Sequence, residues 1–215
     1  MFSRSARRVG AGAAAVLAAM ALTAIPAGAT PLGQTSLGSV DVTRDGRPVT
    51  VPPIAQCDVT ADQQNSSNGT HAYGVANFGA GNTSCTKDAG AKTAKMTASG
   101  NSFDLTALVP YGGPEIKLAN YSASCSATTT STTVAFQFSG LQGVTAPKPI
   151  PANYTTTVGP ADDPQARVTF NEVIQAEPND GSVTINMLHI QLYPNGDGPM
   201  SGDVIVGHAA CSPTS

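Results

Sequence analysis

The stretch "VTINMLHIQLYPNGDGPMSGDVIVGHAAC", Val183 to Cys211, alternates apolar and polar residues on both sides of a Pro-Asn-Gly-Asp-Gly-Pro centre. Period-2 alternation around a turn of that composition predicts two strands joined as a hairpin about Pro194–Gly202. Strict alternation would place Val183, Ile185, Met187, His189 and Gln191 on one face and Asn186, Leu188, Ile190 and Leu192 on the other. His208 would share a face with Val204 and Val206.

Working outward, the same grammar recurs. Candidate strands are Ser39–Thr43, Pro48–Val51, His71–Asn77, Thr93–Ala98, Ser102–Val109, Ile116–Ala123, Thr132–Ser139, Arg167–Gln175, Ser182–Leu192 and Asp203–Ala210. Each is bounded by Gly, Pro, Asn or Asp, and only the stretch near 89–97 has a composition that could equally be helical. Arg44-Asp45-Gly46-Arg47 supplies the Asp-Gly pair of a two-residue hairpin. Asn179-Asp180-Gly181 and Asn195-Gly196-Asp197-Gly198 are turn signals on either side of the 182–192 strand. The fold expected is all-β, an antiparallel β-sandwich stabilised by two disulfides. Asp62–Thr70 reads as a polar mobile loop, and Ala146–Asp163, rich in proline, as a long crossover without a regular strand.

The N-terminus carries Arg4, Arg7 and Arg8, an apolar run to Ile25 and the small triplet Ala27-Gly28-Ala29, the layout of a cleavable export signal over residues 1–29. Residues 30–70 are expected as N-terminal strands and a mobile loop, loosely ordered in part, and residues 71–215 as the sandwich domain. Without residues 1–29 the chain has eight basic and fourteen acidic residues, a net charge of −6. That balance lacks the basic footprint that nucleic acid or anionic lipid needs, and no stable membrane span is expected after signal cleavage.

The four cysteines, Cys57, Cys85, Cys125 and Cys211, read as two disulfides in an exported chain. Three pairings are open. Cys57–Cys85 with Cys125–Cys211 is favoured because each bridge closes one part of the chain.

Among chemistry-bearing residues, His189, Met200, His208 and Met187 form a possible copper set, since thioether and imidazole ligands suit that metal in an oxidising compartment. The competing reading has the methionines filling core gaps and the histidines on a half-buried face, with no cofactor. Glu115, Glu172 and Glu177 could supply a glycosidase's carboxylate pair, but the chain contains no Trp and few aromatic residues for a sugar cleft. No G-x-S-x-G elbow or H-E-x-x-H motif occurs, and no catalytic residue is assigned. The Asp/Asn-Gly turns lack the run of spaced oxygen ligands of a calcium loop.

The segments "SFDLTALVP", "IKLANYSASCSA", "ARVTFNEVIQ", "SVTINMLHIQLY" and "GDVIVGHAACS" together resemble, over about half the chain, the exported actinobacterial proteins of the choice-of-anchor P family. The resemblance implies a β-rich, disulfide-stabilised surface domain without known catalytic residues. It also implies that His189, Cys125 and Cys211 are scaffold positions. Members often end in an anchor, whereas here the chain stops at "CSPTS", so release or noncovalent retention at the envelope is expected.

The function expected is that of a secreted or envelope-associated non-enzymatic protein, structural or binding an extracellular protein or glycan. The alternatives are extracellular copper binding and inhibition of a hydrolase through the 146–163 loop.

Overall fold

The computed structural model describes residues 33–214. The expected export signal, residues 1–29, lies outside the described residues. The strands run in chain order as β1 (Gly33–Arg44), β2 (Arg47–Val51), β3 (Cys57–Asp58), β4 (Gln64–Ser67), β5 (Thr70–Ala72), β6 (Ala76–Phe78), β7 (Gly81–Asp88) and β8 (Thr93–Gly100). They continue as β9 (Phe103–Leu105), β10 (Ile116–Leu118), β11 (Asn120–Ala127), β12 (Thr132–Ser139), β13 (Tyr154–Val158), β14 (Ala166–Gln175), β15 (Val183–Leu192) and β16 (Met200–Cys211). One turn of 3-10 helix, Val109–Tyr111, follows β9.

A seven-stranded sheet has the order β13-β14-β15-β16-β1-β2, with β3 also paired to β1. A five-stranded sheet, β12-β11-β8-β7-β4, and a four-stranded sheet, β10-β9-β6-β5, complete the antiparallel sandwich. Its core holds Phe78, Phe103, Phe170, Met96, Leu188 and Ile190, all fully buried. Both disulfides cross the sandwich. Cys57 on β3 is bonded to Cys85 on β7, and Cys125 on β11 to Cys211 on β16, in the favoured pairing.

The expected hairpins form. Asp45 and Gly46 both have positive φ, 50° and 73°, and Arg44 pairs with Arg47. Leu192 pairs with Gly202 across the 193–199 connection. Other boundaries differ. The expected strands Ser39–Thr43 and Pro48–Val51 lie within β1 and β2, but β1 reaches back to Gly33 and lies between β16 and β2. The polar 62–70 loop contains β4, whose exposed side chains suit a sheet edge rather than a core. The His71–Asn77 strand is two short strands around a turn in which Gly74 has φ 68°. Ile116–Ala123 divides at Ala119 between two sheets, and the 102–109 strand ends at Leu105. The proline-rich crossover connects the two larger sheets but contains β13, because Tyr154-Thr-Thr-Thr-Val158 is free of proline and pairs with β14.

The strict alternation predicted for β15 and β16 also fails, and for a reason shared by four strands. At one level of the large sheet the ladder omits Asn171 opposite Met187, Met187 opposite Gly207, and Gly207 opposite Leu37, while the register continues unchanged on either side. Asn171 (φ 50°), Gly207 (φ 65°) and Gly38 (φ 154°) have the left-handed or extended-positive backbone that turns side chains to the other face. The core face therefore takes Val183, Ile185 and Met187 below this level, then Leu188, Ile190 and Leu192 above it. On β16 it passes from Val204 and Val206 to Ala209 and Cys211, leaving His208 on the opposite face. Gly38 is required there by contact as well, since a Cβ would stand 2.5 Å from the Phe78 ring.

Candidate functional site

The phase slip gathers polar side chains on the outer face of the large sheet. Because Glu172 pairs with Asn186 and Asn186 with His208, three strands present a polar row at one level. His189 follows on the far side of the slip, and Asp203 stands two residues from His189's own partner, Ile205.

These groups form one hydrogen-bonded chain. His208 Nδ1–H donates to Asn186 Oδ1 at 2.9 Å, and Asn186 Nδ2–H donates to Glu172 Oε2 at 2.6 Å. His189 Nδ1–H donates to Glu172 Oε1 at 2.9 Å and its Nε2–H to Asp203 Oδ1 at 2.8 Å. The His208 carbonyl accepts the hydroxyl of Thr35 on β1, which extends the chain to a fourth strand.

The charge states follow from the partners. A neutral imidazole has one donor and one acceptor nitrogen, whereas both carboxylates facing His189 are acceptors. His189 is therefore an imidazolium, its pKa raised to about 9 by the Asp203 and Glu172 hydrogen bonds against the opposing effect of burial. Burial pushes the Glu172 carboxyl up, but the His189 and Asn186 bonds outweigh it and hold it below its ordinary value. Burial lowers the pKa of His208, which donates to Asn186 as a neutral ring. Asp41 on β1 is paired directly with Asp203, so the imidazolium also offsets repulsion between carboxylates on this face.

The copper set is not brought together. Met187 is buried on the core face, away from His189 and His208. Met200 is buried opposite Arg44, eight residues along β16 from His208, or about 26 Å at strand spacing. Both nitrogens of His189 are bonded to carboxylates, which leaves no lone pair for a metal while the ring is protonated. Among the described residues no group of three or more His, Cys, Asp or Glu side chains could hold a metal ion.

The three glutamates considered as a carboxylate pair are likewise separated in role. Glu115 is bonded to Lys117 at 2.7 Å, Glu172 to His189, and Glu177 is exposed in the connection between β14 and β15. The outer-face network can act as a clamp across β14, β15 and β16. It does not have the form of a catalytic dyad, because a general base needs one ring nitrogen free to take a proton. Glu172 and Asp203 were not legible as partners of His189, nor Asn186 as the link from Glu172 to His208, although polar residues interrupting otherwise apolar strands are the trace they leave in the sequence.

Compared with known proteins, the chain matches no family model, no curated protein and no solved structure.

Proposed function

We propose that this chain is an exported β-sandwich protein, secreted or held noncovalently at the cell envelope, that serves as a structural or binding module. The observation that carries the reading is the pair of buried disulfides bridging the sheets, Cys57–Cys85 and Cys125–Cys211, with no free cysteine among the described residues. Such bridges form and persist where the surroundings are oxidising. The export-type N-terminus and the resemblance to the choice-of-anchor P family point the same way. Among the described residues no helix is long and apolar enough to cross a membrane. The partner class that suits an acidic, Thr- and Ser-rich surface is an extracellular protein or glycan rather than a polyanion.

The test is to express the full chain, and a version lacking residues 1–29, in a bacterial host and label free thiols in each fraction. The reading expects full-length protein outside the cytoplasm, shortened at its N-terminus, with no thiol labelled until reduction. Full-length protein retained in the cytoplasm with four reactive thiols would overturn it.

A further inference from the structure

We infer that β12 is a self-association edge, through which two copies of this chain pair antiparallel about a two-fold axis and join their five-stranded sheets into one continuous sheet.

β12 ends its sheet, and among the described residues its only strand partner is β11. One row of its backbone N–H and C=O groups therefore faces outward without a ladder partner. With eight residues it is the longest terminal strand of the three sheets. The other ends are short or obstructed. β2 carries Arg47 and Pro48, β4 has four residues, β5 and β10 have three each, and β13 lies beside the 141–145 segment. Natural edges are commonly blunted by charge, proline or brevity, and Thr132–Ser139 has none of these.

The strand alternates regularly. Val134, Phe136 and Phe138 point inward and remain half-buried, while Thr133, Ala135 and Gln137 are exposed. Phe138 packs on Phe136 and on Phe170 of the opposite sheet. A hollow opens at each end of the strand. One, of about 370 Å³, is lined by Thr132, Val134 and Val173; the other, of about 440 Å³, by Phe138, Leu141 and Ile150. The sandwich flank is therefore left apolar and incompletely filled beside an unpaired edge.

Charge selects a second copy as the occupant. The Ser139 end carries the exposed Lys148, which lines the hollow there. The Thr132 end carries the exposed Asp180, next to Gly181, whose carbonyl accepts the Thr132 hydroxyl at 2.8 Å. Antiparallel pairing of two identical strands brings the Ser139 end of one against the Thr132 end of the other. Each Lys148 then approaches the Asp180 of the other copy, twice, as an isologous interface requires. No charged side chain in the strand itself opposes the approach.

The experiment is sedimentation velocity of the oxidised protein over a micromolar concentration series, with folding of each variant checked by circular dichroism. The inference expects a reversible dimer. Ala135→Lys, at an exposed position, and Lys148→Glu should each weaken it roughly tenfold or more, and the Lys148→Glu/Asp180→Lys exchange should restore it. A monomer throughout the series would overturn the inference, as would a dimer indifferent to Ala135→Lys or a charge exchange that fails to restore association. The inference goes beyond the proposed function, since a monomer would leave the thiol and export results of that test unaffected.

Discussion

Asn171 on β14 and Gly207 on β16 lie at one level of the large sheet, on either side of Met187, and both have a left-handed backbone. The two residues mark where the central strands exchange their inner and outer faces together. A Cβ on Gly207 would stand 3.1 Å from the Cβ of Met187 and 3.4 Å from that of Ala123 on the facing sheet. Gly207→Ala combines this crowding with left-handed strain and should cost about 1–3 kcal/mol in urea unfolding. Asn171→Gly, where the side chain is only half-buried, should be nearly neutral.

The slip also removes Leu37 from its ladder position opposite Gly207. Its N–H donates instead to the Ile54 carbonyl, and its carbonyl accepts the hydroxyl of Tyr121 at 3.1 Å. Tyr121 is buried and its hydroxyl pKa is raised by that burial, so the group acts as a neutral donor. Tyr121→Phe should destabilise the protein by about 1–3 kcal/mol, since a buried carbonyl loses its donor. Thermal melting of the single variant checks this.

Stability should peak near neutral pH because the two network histidines are shifted in opposite directions. His189 is raised from 6.5 to about 9, so its contribution is complete below pH 6.5 and is lost as pH rises through about 9. His208 and Glu172 are lowered, so their contributions are present above their unfolded values and are lost as pH falls through their folded ones. The alkaline loss should be about 1–2 kcal/mol after allowance for solvent screening. Unfolding from pH 5 to 10 checks the profile, and His189→Gln should flatten its alkaline limb.

The two disulfides should differ in worth. Cys125–Cys211 spans 86 residues and Cys57–Cys85 spans 28. On the chain-entropy model they stabilise by about 4.5 and about 3.5 kcal/mol respectively. Paired Cys→Ala variants should show the larger loss for Cys125 and Cys211, measured by denaturant unfolding.

Met187→Leu should leave any copper uptake unchanged, because the thioether faces the core while the histidines face outward. A titration in which this variant alone abolished stoichiometric copper binding would put the thioether on the histidine face instead.

Strand existence was legible wherever apolar alternation was strong, as along β14, β15 and β16, and Asp45-Gly46 announced its hairpin. The disulfide pairing followed from where the bridges divide the chain. What could not be read was local. β4 and β7 are rich in Asn, Ser, Thr and Gly, whose turn preference is overridden by pairing with neighbouring strands. The phase slip depends on Asn171, Gly38 and Gly207, residues that look like ordinary members of a strand. Since side-chain faces reverse there, strict alternation placed Met187 with His189 and hid the Glu172–His189–Asp203 contact. The candidate site was therefore legible in its histidines and in Glu172 as separate residues, and not in Asp203 or in the contacts that join them.

β1 lies directly against β16, with Gly33 opposite Cys211 and Arg44 opposite Met200. The middle of the large sheet thus joins residues 33–44 to residues 200–211. Folding of such a chain is governed by closure over nearly the whole described length, which makes it slow relative to domains dominated by local contacts. A ribosome releasing the chain N-terminus first would hold one side of β1 unpaired until the final strand emerged. Completion of the large sheet waits on that last strand, which would leave the growing polypeptide open, and so threadable, for most of its synthesis.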